Sequence, residues 1–254
     1  MITVGLNKVF VEENIALGNH MFQYSICRIV AMENNYKFYI PYSGHLKKCF
    51  PNIDLGESDG FVKYNYYESF EQNYDENIFR VKDFTNLNGY FQTEKYYSKY
   101  KNLITEWFKI ESCEKTNEIL SKYPIDKFCY IHIRGGDNKI GTNNWLIPKK
   151  YYEKAINEIK QHNKNLSFVI VTDDVELSKS YFDNIEIISN DVITDFKVLF
   201  FSKYCIISAS TFSWWAAWLN KKELTIAPKF WLNYNQPEKG WYPNEIKCKN
   251  FTYL

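Results

Sequence analysis

Within the stretch Tyr130-Ile131-His132-Ile133-Arg134-Gly135-Gly136-Asp137 stand an imidazole, a guanidinium, two glycines and a carboxylate. Arginine is scarce here: Arg28, Arg80 and Arg134 stand against 28 lysines. A guanidinium forks onto a phosphate or carboxylate through two parallel hydrogen bonds, which an ammonium cannot do. In an extended strand His132 and Arg134 share one face while Ile131 and Ile133 share the other. The glycine pair that follows lets backbone approach a ligand closely. The pattern suits an anion at a strand end, although a plain strand, a turn and a surface arginine would give the same letters.

Two further strand ends carry chemistry. In Val171-Thr172-Asp173-Asp174 two carboxylates close an apolar run, able to hold a metal, to take hydrogen bonds from a base or ribose, or to cap the next helix. In Ser208-Ala209-Ser210-Thr211-Phe212-Ser213 hydroxyls surround a helix start directly after a strand. Free N–H groups and the positive end of the helix dipole favour an anion there, with an ordinary Ser/Thr cap as the plain alternative. An arginine fork, a hydroxyl-rich helix start and paired aspartates on neighbouring strand ends together fit a nucleoside diphosphate. No G-x-G-x-x-G and no G-x-x-x-x-G-K-[ST] occurs, so neither a typical dinucleotide fold nor a phosphate-loop NTPase is indicated. A nucleotide neither oxidised nor hydrolysed for work suggests a nucleotide-sugar donor, hence a glycosyltransferase.

The elements that must position these residues are clearest in the second half. Strands are expected at 128–133, 166–171, 185–189, 205–210 and 224–228. Helices are expected at 148–162, 175–182, 193–204 and 211–220, where Trp214, Trp215 and Trp218 fall at core spacing. Such alternation marks βαβ units and a parallel sheet. The first half offers a strand at 2–6, a helix capped by Asn19 with Phe22, Ile26, Ile29 and Val30 on its apolar face, and a strand at 37–41. Residues 52–100, rich in Tyr, Phe, Asn, Asp and Glu, show no clear period. Restart of the strand pattern after 111–127 divides the chain into 1–112 and 113–254.

With 254 residues and a formal net charge of +1, nothing suggests a broad footprint for nucleic acid or an acidic membrane. No signal-like or membrane-length apolar run is seen, so a soluble, cytoplasmic protein is expected. The six cysteines have no metal-ligand spacing and read as small buried thiols.

Several segments resemble glycosyltransferase family 11, the α-1,2-fucosyltransferases. The family's GGLGNQMFQYA is similar to Ile15–Ser25, and its HIRRGD to His132–Asp137; GYFQTEKYY (89–97), FVIVTDD (168–174), STFSWWAAWLN (210–220) and IAPKFW (226–231) match in order. The resemblance implies an α/β, GT-B-like fold of two facing Rossmann-like domains, the first on the acceptor side and the second binding the GDP-sugar. It implies GDP-fucose as donor substrate, a galactose-terminated glycan as acceptor, inversion at the anomeric carbon, and neither metal nor other cofactor. By the same resemblance Arg134 holds the β-phosphate, His132 with Asp173 or Asp174 recognises guanosine, Ser210, Thr211 and Phe212 line the diphosphate, and Gly18 and Asn19 close over the donor. Asp137 and Asp195 are candidates for the proton acceptor; Asn143 and Asn144 cannot serve. The chain departs from the pattern at Gly135, where the family has a second arginine, at His20 for glutamine, and at Ala16 for the second leading glycine. Those departures keep two alternatives in view: another nucleotide-sugar donor, or a non-catalytic sugar-binding protein on the same scaffold.

Overall fold

The computed structural model describes residues 1–5, 17–41, 44–136 and 145–254. Asp137, Asn143, Asn144 and Ala16 lie outside the described residues. The chain forms two compact units, residues 1–110 with 243–247, and residues 111–242 with 248–254.

The first unit contains β1 (Ile2–Val4), α1 (Leu17–Glu33), β2 (Phe38–Tyr39), α2 (Gly44–Cys49), β3 (Tyr64–Tyr67), β4 (Thr85–Asn88) and α3 (Lys101–Trp107). Its strands form one parallel sheet in the order β2-β1-β4-β3. Helix α1 runs through the core, with Phe22, Ile26, Ile29 and Val30 fully buried as their spacing requires. Asn19 does not cap it, because the helix already includes Leu17 and places Asn19 inside the first turn. Arg28, at the far end of α1, lies over the rings of Trp107, Phe38 and Tyr24 and donates to the Tyr24 hydroxyl (2.6 Å). There the planar guanidinium serves packing as well as charge.

The second unit runs α4 (Glu114–Lys122), β5 (Phe128–Ile133), α5 (Lys149–His162), β6 (Ser167–Thr172), α6 (Val175–Tyr181), β7 (Glu186–Ile188), α7 (Val192–Phe201), β8 (Tyr204–Ile206), α8 (Thr211–Leu219), β9 (Leu224–Ala227) and β10 (Thr252–Tyr253). All six strands are parallel, in the order β10-β9-β8-β5-β6-β7. The chain winds outward from β5 through β6 to β7, then returns to the other side of β5 with β8, β9 and β10. This reversal makes a doubly wound Rossmann-like sheet and opens a crevice beyond the carboxyl ends of β5 and β8. The edge strand β10 was not foreseen; it is two residues long and carries no readable period. Trp214, Trp215 and Trp218 are buried against one another.

Each unit carries its own parallel sheet, so the α/β class expected of the chain is present in both. All six cysteines are free; five are buried, while Cys113 is exposed, because it stands just outside the first turn of α4. Among the described residues no helix is long and apolar enough to cross a membrane.

Candidate active site

The site grows from the carboxyl end of β5. Strands β5 and β6 pair through His132 with Val171 and Ile133 with Thr172, so one further step brings Arg134 level with Asp173. The two side chains form an ion pair, and the other Asp173 oxygen accepts the Gly135 backbone N–H at 2.9 Å. Asp173 therefore fixes both the guanidinium and the turn that carries it. Its neighbour Asp174 accepts from Leu177 N–H (2.9 Å) and caps α6. The adjacent carboxylates thus have different tasks.

Gly135 is buried against Asp174. A Cβ at position 135 would lie 2.3 Å from Asp174 Oδ2 and 2.4 Å from its Cβ, so the arginine that the resemblance leads one to expect has no room. Gly136 adopts φ +36°, in the left-handed region, and a Cβ there would sit 2.7 Å from Asp173 Oδ2. Both glycines are required by the carboxylate pair behind them.

His132 is 4% exposed, and its Nδ1 has no hydrogen-bond partner among the described residues. Burial, and secondarily the Arg134 charge, push its pKa down to about 3, so the imidazole is neutral and can only donate and accept hydrogen bonds. A buried polar atom left unpaired is costly, which marks a position where a bound molecule can supply the missing partner. The ring lies 5.5 Å from that of Phe212, which in turn packs on Phe196 of α7.

Phe212 ties this strand end to the next. Strand β8 pairs with β5 up to Ile206 and Ile131, and the segment that follows β8 leads into α8, whose second residue, Phe212, is the one packed on His132. Ser210 is the residue before α8, and its side chain makes no cap hydrogen bond. Its hydroxyl is not spent on the helix, in contrast to the carboxylates of Asp174 and Asp191. The structure thus brings together His132, Arg134, Asp173, Ser210, Thr211 and Phe212 around the crevice between β5 and β8. Asp195 stands in the first turn of α7, where its carboxylate accepts from Asn190 N–H (3.1 Å) and Asn190 Nδ2 (3.0 Å), and burial raises its pKa to about 6.

Gly18 and Asn19 lie in the first unit, in the opening turn of α1. Asn19 Oδ1 accepts from Gln92 Nε2 (2.9 Å), Gln23 Nε2 donates to Gly89 O (2.8 Å), and Tyr97 donates to Phe91 O (2.7 Å) and Phe22 O (3.2 Å). The described part of the first of two separately recognisable segments, 17–25, is therefore one piece of structure with the second, 89–97. Sequence reasoning missed its organiser, Glu68, whose carboxylate accepts from Tyr90 N–H (2.7 Å) and Phe91 N–H (2.9 Å) and is shifted upward by burial. Glu68 holds Phe91 at φ +57°, a conformation that costs a non-glycine residue free energy and needs such anchoring. Nothing in the letters around Glu68 distinguishes it from the other acidic residues of the segment. Among the described residues no group of three or more His, Cys, Asp or Glu is arranged to hold a metal ion.

Comparison with known proteins agrees with a sugar-transferring site. Residues 3–254 match the model of glycosyl transferase family 11. An alpha-1,2-colitosyltransferase of Escherichia coli is 29% identical, over 85% of this chain and 89% of that protein. The O-antigen biosynthesis glycosyltransferase WbnK of Escherichia coli is 28% identical, over 63% of this chain and 59% of its own length. Two solved structures are similar more faintly. An Arabidopsis thaliana FUT1 variant in complex with GDP is 12% identical, covering 86% of this chain and 68% of that one at a TM-score of 0.45. NodZ alpha-1,6-fucosyltransferase soaked with GDP-fucose is 10% identical, covering 86% and 92% at a TM-score of 0.49. Likenesses that weak carry no weight beside a family match that runs almost from end to end and takes in every segment from which the two sheets and the β5 crevice are built: the chain is a glycosyltransferase of family 11.

Proposed function

We propose that the chain transfers L-fucose from GDP-fucose to the 2-hydroxyl of a terminal galactoside, with inversion and without a metal ion. The observation that carries this reading is Arg134, fixed by Asp173 at the carboxyl end of β5, with the Ser210 hydroxyl, which makes no cap hydrogen bond, at the start of α8 after the neighbouring strand β8. The acceptor oxygen forms a bond to the anomeric carbon as the bond from that carbon to the β-phosphate oxygen breaks. GDP leaves with the electron pair, and the acceptor hydroxyl passes its proton to a carboxylate base, for which Asp137 and Asp195 are the candidates, or to water. Negative charge then grows on the diphosphate, and in this reading Arg134 and the start of α8 receive it. A preorganised donor of this kind is worth about 3 to 4 kcal/mol in the transition state. Asp173 is the positioning residue that keeps Arg134 in place, and His132, neutral with Nδ1 unpartnered, offers its ring nitrogens to the nucleoside.

A second reading changes only the sugar. The Escherichia coli relative named an alpha-1,2-colitosyltransferase makes GDP-colitose a reasonable donor, colitose being L-fucose without its 3-hydroxyl. Calorimetric titration with GDP and UDP, followed by competition between GDP-fucose and GDP-colitose for transfer, tests both. GDP should bind at least tenfold more tightly than UDP, and fucose should be the better-transferred sugar. Equal affinity for UDP contradicts the GDP-sugar reading, while faster colitose transfer decides for the second sugar.

A further inference from the structure

Parallel sheets are normally covered on both faces, yet strands β3 and β4 carry a polar row on one of them. Asn65, opposite Asn86, and Tyr67, opposite Asn88, share that face, whereas Tyr64, Tyr66, Thr85 and Leu87 occupy the other. Asn65 and Tyr67 are exposed and Asn86 and Asn88 partly so. The three amides are linked: Asn86 Nδ2 donates to Asn65 Oδ1 (3.3 Å) and Asn88 Oδ1 (3.0 Å), and Asn88 Nδ2 donates to Asn65 Oδ1 (3.3 Å) and Tyr66 O (3.2 Å). That network leaves Asn65 Nδ2 as donor and Asn86 Oδ1 as acceptor. Fixed amides with unspent capacity are prepared for a ligand. On the same face Tyr67 is 71% exposed, and Phe70, three residues past the end of β3, is 85% exposed; single exposed rings are common, but one that shares a strand face with an amide network offers both stacking and hydrogen bonds.

We propose that this face binds the acceptor oligosaccharide, with the Asn65 and Asn86 amides bonding neighbouring ring hydroxyls and Tyr67 and Phe70 stacking on the sugar's C–H face. Its chemistry matches a neutral glycan. The amides carry no charge for an acidic or basic partner, and the rings are separated by polar groups that a protein core would exclude. The inference rests on the glycosyltransferase reading of the chain, which needs an acceptor subsite, and adds which surface supplies it. Its position is favourable, since Tyr67 and Asn88 stand at the carboxyl ends of β3 and β4, where parallel sheets collect ligands.

Saturation-transfer NMR with lactose, on the whole protein and on Asn65→Ala, Asn86→Ala, Tyr67→Ala and Phe70→Ala, tests the proposal without requiring turnover. Lactose signals should appear with the unaltered protein. Each variant should weaken lactose binding about three- to tenfold, the loss of one neutral hydrogen bond or one stacked ring, while GDP affinity and melting temperature stay unchanged. In the transfer assay the same variants should raise the acceptor KM by a similar factor and leave the donor KM alone. Absence of lactose binding, or binding equal in all four variants, overturns the inference even if fucose transfer proceeds. Failure of GDP binding with lactose binding intact overturns the donor reading and leaves this face standing. Concentration-dependent dimerisation abolished by Tyr67→Ala, with lactose binding unaffected, would give the face to a second copy through the edge of β3 and contradict the proposal.

Discussion

Arg134, Asp173 and Gly135 act as a unit, and their substitutions should separate charge, position and space. Arg134→Ala should lower transfer by about 10²- to 10³-fold, the worth of one preorganised donor to developing charge. Arg134→Lys should recover little of it, because an ammonium lacks the two-point geometry. Steady-state kinetics with circular dichroism as the check on folding decides this, and wild-type turnover by either variant would contradict the assignment. Asp173→Asn should act through Arg134, raising the donor KM and lowering the rate by about tenfold, with Asp173→Glu restoring part of both. Gly135→Arg should not create a more active enzyme. With Asp174 atoms 2.3 to 2.7 Å from the new Cβ, it should cost about 1 to 3 kcal/mol of stability, seen as a lower melting temperature. The scarcity of arginine singled out Arg134; of the other two, Arg28 lies over the rings of Trp107, Phe38 and Tyr24. Arg80 is an ordinary exposed partner of Glu76, of a kind that contributes little.

The elements explain which parts of the molecule could be read from letters. Each strand of the second unit from β5 to β8 is an apolar run followed by a helix of clear period, so the strand ends, and with them Arg134, Asp173 and Ser210, could be placed before the pairing order was known. Strands β3 and β4, by contrast, read Tyr-Asn-Tyr-Tyr and Thr-Asn-Leu-Asn, with amides where a two-sided core strand would carry aliphatics, and no recognisable crossover helix joins them. The alternation is only four residues long in each strand, and its inward positions carry Tyr and Thr as well as Leu, so it does not stand out. Glu68 and the Asn65–Asn86–Asn88 network were illegible because their partners come from residues about twenty positions away. Capping was only partly legible: the plain reading holds for Asp174, fails for Ser210, and misplaces Asn19. Helix α7 gives a control for such assignments. Asp191 accepts from Ile193 N–H (3.1 Å) and Thr194 N–H (3.0 Å), so Asp191→Ala should lower stability by about 1 kcal/mol in denaturant titration and leave the donor KM unchanged.

For the whole molecule, buried titratable groups in both units set a direction for acid sensitivity. Burial lowers His20 to about 4, and burial with Arg134 lowers His132 to about 3. The unfolded chain, with histidine near 6.5, binds these protons first, so stability falls as pH drops below that value. Asp195, raised to about 6 by burial, works in the opposite sense, because the folded protein takes up its proton first between about 6 and 4. From pH 7 to pH 5 the two histidines outweigh the aspartate, for a net loss on the order of 2 to 3 kcal/mol. Thermal melts across that range should show a falling midpoint, shallower in His132→Gln; a midpoint that rises toward pH 5 would contradict the buried, neutral histidines.

Transfer without a metal ion, with the leaving diphosphate received by Arg134, can be examined by GDP release from GDP-fucose with and without lactose, in excess chelator, for the unaltered protein and for Arg134→Ala side by side. Lactose-dependent release that survives the chelator and disappears in the variant is the predicted result; release that requires a divalent ion, or that persists without Arg134, would contradict it.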